Sequence, residues 1–173
     1  PARFDMKKLE AINGDKIRAL SVEDFAQWTI PFLKKAAIIE GTDAEIALVK
    51  QALPLIQERI VKLDEAPQLL KFLFVKEFAI DSDAVSKVND ESAKSILKRA
   101  QSELEQLSTW NHESIEAALR TSLIEEMGLK PRIAFTALRI ATTGSTISPP
   151  LFESMELLGK QACLARISLA LSL

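Results

Sequence analysis

Apolar residues in this chain recur at spacings of three and four, and no stretch of useful length alternates apolar and polar. That pattern admits helices and excludes a sheet protein. Start and stop signals divide the pattern into helices. Ser21 opens one helix, with acids in its first turn, that should run to about Ala36. Thr42 and Glu45 form a capping box ahead of a pattern in which Ile46, Val49, Leu53, Ile56 and Ile60 share one face. Pro54 lies inside that pattern and is expected to kink or interrupt it. DEAPQLLKFLFV reads as a short apolar helix, and the acidic EFAIDSD that follows reads as a domain joint. Beyond it, a helix begins at Asp90 with Ile96, Leu97, Ala100, Leu104 and Leu107 as its apolar positions. Asn111 caps the next helix and Gly128 ends it. The expected class is all-α.

Composition agrees. Tyr is absent, Gly numbers 5 and aromatics make up 6%, whereas Ala, Leu, Glu and Lys are abundant. At 173 residues the chain suits one large or two small domains, with a core that needs no disulfide or metal. FDMKKLEAINGDKIRAL at the start carries Phe4, Leu9, Ile12 and Ile17 with no obvious partner element, and no initiator Met precedes it. This suggests a piece of a longer protein. With neither a signal peptide nor an apolar run of spanning length, the cytoplasm is the expected location and no membrane partner is expected.

Catalysis is hard to assemble from these residues. His112 is the only histidine and Cys163 the only cysteine, so a triad or a multi-His metal site is excluded. His112 reads as an exposed helix-start residue and Cys163 as a buried thiol in ACLARISLAL. Acid pairs such as Glu103/Glu105 and Glu125/Glu126 read as solvated surface. No phosphate-binding glycine loop is present.

Charge is uneven. The net charge is -2, but residues 1–127 hold 17 basic against 22 acidic residues, and residues 128–173 hold 5 against 2. The C-terminal quarter is the part that would attract phosphates. It contains a helix over Pro131 to Thr143 on which Arg132, Thr136, Arg139 and Thr143 form one polar stripe. Ile133, Ala137 and Ile140 form an apolar stripe expected to pack inward. Gly144 ends this helix. Ser148 is expected to be the next N-cap, with Pro149 and Pro150 at the first two helical positions and Ser148 accepting from the Leu151 N–H. A two-arginine helix beside a rigid helix start could hold splayed bases of an RNA loop. Arg stripes also occur as plain solvated surface. On the residues alone, RNA binding and an unspecified helical protein–protein interaction module both remain open.

A longer match narrows the choice. KPRIAFTALRIATTGSTISPPLFESMELLGKQACLARI resembles the bacterial glutamyl-tRNA synthetase pattern with its R-x-A-x-T-G, S-P-x-L-F-E and L-L-G-K core. FDMKKLEAINGDKIRALSVEDF is similar to that family's F-D-x-x-K-L-x-x-x-N-x-x-Y-I-R segment, so the match covers essentially the whole chain. Thr142 stands where the family has leucine, and Lys16 where it has tyrosine.

The resemblance implies an all-helical anticodon-binding region. It comprises the tail of a stem-contact domain over residues 1–20, one small helical subdomain over 21–82 and a second over 83–173. It implies RNA-binding roles for Arg139, Ser148 and Leu151 at the anticodon, and for Arg59 at its third base, which separates glutamate from glutamine tRNAs. The implied partner is the anticodon loop of glutamate tRNA, bound by a monomer that has no DNA partner. Activation of glutamate with ATP and Mg would belong to a catalytic part upstream, leaving no cofactor and no catalytic residue in this stretch.

Overall fold

The computed structural model describes residues 5–173, so Phe4 lies outside the described residues. Among these residues the chain forms α-helices and short tighter or wider turns, with no strand. It divides into two compact units, one ending at Val75 and one spanning Lys76–Leu173.

The first unit contains α1 (Met6–Arg18), α2 (Val22–Lys35), α3 (Asp43–Gln57) and the short α4 (Ala66–Leu70). Its caps follow the sequence. Ser21 accepts from the Asp24 N–H, and Thr42 and Glu45 form a reciprocal capping box. The Glu45 carboxylate accepts from the Thr42 and Gly41 N–H groups, which hold its pKa down at about 2. Phe25 and Leu33 of α2 meet Val49, Leu53 and Ile56 of α3 in a dry interior.

Pro54 does not interrupt α3, which runs through it and ends at Gln57. Pro54 is on the exposed side, where loss of one N–H is borne by solvent. Ile60 is buried as its spacing suggested, but it enters the core from the turn beyond the helix rather than from the helix itself. The Gln57 side chain donates to the Ile17 and Leu20 carbonyls, each at 2.9 Å, and so ties the end of α1 to the end of α3.

The second unit contains α5 (Glu91–Gln106), α6 (His112–Leu119), a wide π-type stretch at Arg120–Glu126, α7 (Pro131–Thr143), α8 (Leu151–Leu158) and α9 (Lys160–Leu171). Asp90 and Asn111 cap α5 and α6, accepting from the Ala93 and Ser114 N–H groups at 2.8 Å each. Leu97, Leu104, Ile115, Leu119, Leu123, Leu138, Ile140, Met155 and Ile167 form one continuous core. Cys163 is buried with them, and desolvation pushes its thiol up to about 12. Lys160 Nζ donates to the Glu105 and Leu107 carbonyls at 2.9 and 2.7 Å, satisfying the end of α5.

The division between units falls at Val75/Lys76, earlier than the boundary after residue 82 that the resemblance implied. The cause is local. The Asp81 N–H donates to the Gly144 carbonyl at 2.8 Å, and the Phe78 ring lies 4.1 Å from the Arg166 guanidinium carbon. Residues 76–82 are therefore part of the second core.

Gly144 is where this packing is tightest. It ends α7 in the left-handed conformation at φ 81°, and a Cβ there would sit 2.7 Å from the Ala79 carbonyl oxygen. Strained backbone and collision with a fixed backbone atom both penalise a side chain. We expect Gly144→Ala to destabilise the chain by about 2 kcal/mol or more. Urea unfolding of the two proteins measures the difference.

Candidate nucleic-acid interface

The polar stripe on α7 forms, but it is not uniformly exposed. Arg132 is exposed, Thr136 and Arg139 are half-buried, and Thr143 is buried. Thr136 Oγ1 donates to the Arg132 carbonyl at 2.6 Å and Thr143 Oγ1 to the Arg139 carbonyl at 2.8 Å. Of the neighbouring apolar stripe, Ala137 and Ile140 pack inward as expected. Ile133 does not, and remains 52% exposed.

Ser148 is not the N-cap of α8. The helix begins at Leu151 with Pro150 in the cap position and no side-chain cap. Ser148 is instead turned back onto α7, where its Oγ accepts from Arg139 Nη1. The same nitrogen donates to the Pro149 carbonyl at 2.8 Å, and the Ser148 hydroxyl donates to that carbonyl at 2.9 Å. The reason is supply of donors. Pro149 and Pro150 carry no N–H, so α8 starts with fewer orphan donors for a serine to satisfy. Arg139 offers a charged donor that makes the stronger bond.

The result is a pinned loop. Arg139 fixes the Ser148–Pro149 corner, and both Ser148 and Leu151 are closed off at 6% and 4% exposure. Leu151 joins the core, where the adjacent Phe152 packs edge-to-face on Phe135 at 5.2 Å. The loop tip instead presents Ile147, which is 74% exposed. Sequence reasoning missed Ile147. Its available signal was an isoleucine stranded between turn-forming residues in GSTISPP.

The far end of α8 is tied as well. Trp110 Nε1 donates to the Met155 carbonyl at 3.1 Å, and the His112 N–H donates to Glu156 Oε2 at 3.0 Å. His112 Nδ1 lies 2.6 Å from the same oxygen. This pairing raises the His112 pKa above its ordinary value, with the charges of Glu113 and Glu153 adding to the effect, and lowers that of Glu156. His112 thus clamps α6 to α8.

Arg59 lies in the first unit, two residues past the end of α3. It is exposed, and among the described residues no hydrogen bond or ion pair holds its guanidinium. A cation just past a helix C-terminus is electrostatically at home there. Of the four residues singled out, Arg139, Ser148 and Leu151 converge at one corner of the second unit, and Arg59 belongs to the other unit.

The Anticodon binding domain family matches residues 24–171. The chain belongs to that family. It is 45% identical over 170 residues to the glutamate–tRNA ligase of Saccharopolyspora erythraea, covering 96% of this chain and 34% of that protein. It is 48% identical over 168 residues to the glutamate–tRNA ligase of Acidothermus cellulolyticus, covering 95% and 33% respectively. The chain therefore spans about a third of the length of the curated relatives it matches. Its fold is that of part of a solved glutamate tRNA ligase from Elizabethkingia meningosepticum. That match has a TM-score of 0.79 at 22% identity and covers 99% of this chain and 33% of that one. The glutamate–tRNA synthetase from Elizabethkingia anophelis gives 0.77 at 22% identity, with 99% and 32% covered.

The His112–Glu156 clamp carries a sign. A histidine whose folded pKa is raised stabilises the fold fully below its unfolded value near 6.5, and that contribution is lost as pH rises through the folded value. Glu156, with its pKa lowered, acts in the opposite sense at acid pH. We expect the melting temperature of the native chain to exceed that of His112→Gln most near pH 6, and the difference to shrink by pH 9. Calorimetry of both proteins across that range is the check.

Proposed function

We propose that this anticodon-binding domain is the RNA-reading part of a glutamate–tRNA ligase and that its ligand is the anticodon loop of glutamate tRNA. The observation that carries the reading is the Arg139 corner. A guanidinium on α7 is held in fixed orientation by Ser148 and Pro149, beside a loop tip that offers the exposed apolar Ile147. Such a corner suits an unstacked base, with a planar donor fork for its edge and an apolar side chain for its face. Ser148 and Leu151 serve from beneath, one anchoring the arginine and the other anchoring the helix start.

Arg59 contributes the second reading element. Its fork takes the third anticodon base, and because no carboxylate occupies it, an RNA contact displaces only water. Attachment of glutamate, with its ATP and Mg, belongs to the two thirds of the ligase outside this stretch. The protein acts in the cytoplasm as a monomer, without a DNA or membrane partner. No helix among the described residues is long and apolar enough to cross a membrane.

The test is binding of the chain to RNA hairpins carrying the glutamate tRNA anticodon loop or an altered one. We expect the cognate loop to bind more tightly at moderate salt. Arg139→Lys, which keeps the charge but removes the planar fork, should cost roughly 1–3 kcal/mol by analogy with bidentate base contacts in DNA. Arg59→Gln should erase the preference for cytosine over guanine at the third anticodon base. Equal binding of cognate and altered loops sinks the reading. It would favour the alternative of a helical module that binds protein.

A further inference from the structure

A groove of about 340 Å³ opens on the second unit between the start of α5 and the start of α7. Lys87, Asp90 and Ser92 line one side, and Arg132, Ile133 and Thr136 line the other. Lys87 and Arg132 are exposed, and among the described residues neither is held by a carboxylate or a hydrogen bond. The one acid, Asp90, has an oxygen committed to the Ala93 N–H at 2.8 Å. The exposed Ile133 supplies an apolar wall, although its position on α7 would allow it to pack inward.

We propose that this groove holds the phosphate and sugar of a second nucleotide of the same RNA loop, next to the base read at Arg139. The inference rests on the RNA-binding reading above and extends it to residues that reading does not use. Three features favour a nucleotide. Two cations from separate elements face one concave space, which suits a phosphate diester. The Ser92 hydroxyl can donate to a phosphate oxygen, Thr136, whose hydroxyl proton goes to the Arg132 carbonyl, can accept from a ribose hydroxyl, and Ile133 offers a surface for the sugar ring. The groove also shares a face of α7 with the Arg139 corner. Arg132, Thr136 and Arg139 follow one another along a single face of α7, and the seven residues from Arg132 to Arg139 rise about 10 Å. A loop engaged at Arg139 has this groove within about two nucleotides' reach.

Phosphate contacts position RNA without reading its sequence. This separates the groove's behaviour from that of the base-reading arginines. The experiment uses the chain, a fluorescent hairpin bearing the glutamate tRNA anticodon loop, and the double variant Lys87→Ala/Arg132→Ala. Both side chains are exposed, so the variant should keep its helicity by circular dichroism. We expect affinity to fall about tenfold, and the slope of log affinity against log salt to become shallower by about one to two. Discrimination between cognate and altered anticodons should not change. In hairpins with one methylphosphonate per loop linkage, one linkage should weaken binding to the native chain and leave the variant unaffected. Arg132→Lys should restore most of the salt slope.

Unchanged affinity and slope in the double variant overturn the groove proposal, whether the groove is then idle or takes an acidic peptide. If the variant still discriminates anticodons, the base-reading function stands without the groove. If the native chain binds hairpins without discrimination but the double variant weakens binding, the groove stands and the base-reading assignment falls. No binding of the native chain to any hairpin overturns both.

Discussion

The end of α7 is the point on which the second unit depends. Gly144 turns the chain left-handed and leaves the last carbonyls of the helix needing donors. Arg166 reaches in from α9, only 8% exposed, and its Nη1 donates to the Thr142 carbonyl at 2.7 Å. Burial lowers the pKa of this guanidinium. A buried cation is costly unless its hydrogen bonds and surroundings compensate. Here the Phe78 ring faces the guanidinium and a helix C-terminus, the negative end of the dipole, accepts from it. One side chain thereby joins α9, α7 and the 76–82 segment. Thr142, which stands where the resembled family has leucine, fits this arrangement because its hydroxyl donates to the Leu138 carbonyl at 2.8 Å.

Because the end of α7 is fixed, the loop after it can be presented rigidly. Arg139 lies little more than one turn before Gly144 and braces the loop from the helix side, while Trp110 and His112 brace α8 from the other. A binding corner built this way loses little conformational freedom when a ligand arrives, and the entropic cost of ordering is met during folding rather than binding. Arg139 is both a strut and a candidate reading group. Its Nη1 makes the contacts to Ser148 and Pro149 that hold the guanidinium in place. The same economy explains why Ser148 is buried. It sets the arginine's orientation.

Helix starts were legible in the sequence because capping is local chemistry. Ser21, Thr42, Asp90 and Asn111 each cap the helix they precede. Ser148 was misread because its local pattern, serine before two prolines, omits the long-range donor. Nothing within a few residues reveals that Arg139 will compete for the hydroxyl. The end of α2 falls where the sequence placed it, near Ala36, although its stop is unusual. Ala37 takes a left-handed φ of 54°, and the Ile38 N–H closes onto the Leu33 carbonyl at 3.0 Å, without the glycine that usually marks such a stop. The unit boundary depended on where Phe78 and Asp81 pack, which no periodicity encodes. Of the candidate site, the α7 stripe could be read from spacing, but Arg59 came only from resemblance. A lone arginine past a helix end has no pattern of its own.

A chain of net charge -2 is an unusual shape for an RNA binder, and its arrangement resolves the tension. Non-specific affinity scales with the number of phosphates a protein neutralises, and an acidic chain keeps that number small. Selectivity among tRNAs needs the opposite emphasis, because every tRNA offers the same phosphates and only the bases differ. Spreading 22 acidic residues over the first 127 positions repels RNA from most of the surface. Arg59 in one unit and Lys87 with Arg132 in the other, exposed and held in no ion pair, are candidates to act against that low background. Where the general attraction is weak, each base contact contributes a larger share of the binding free energy, while discrimination between anticodons remains the difference made by the base contacts, which a shared phosphate attraction leaves unchanged.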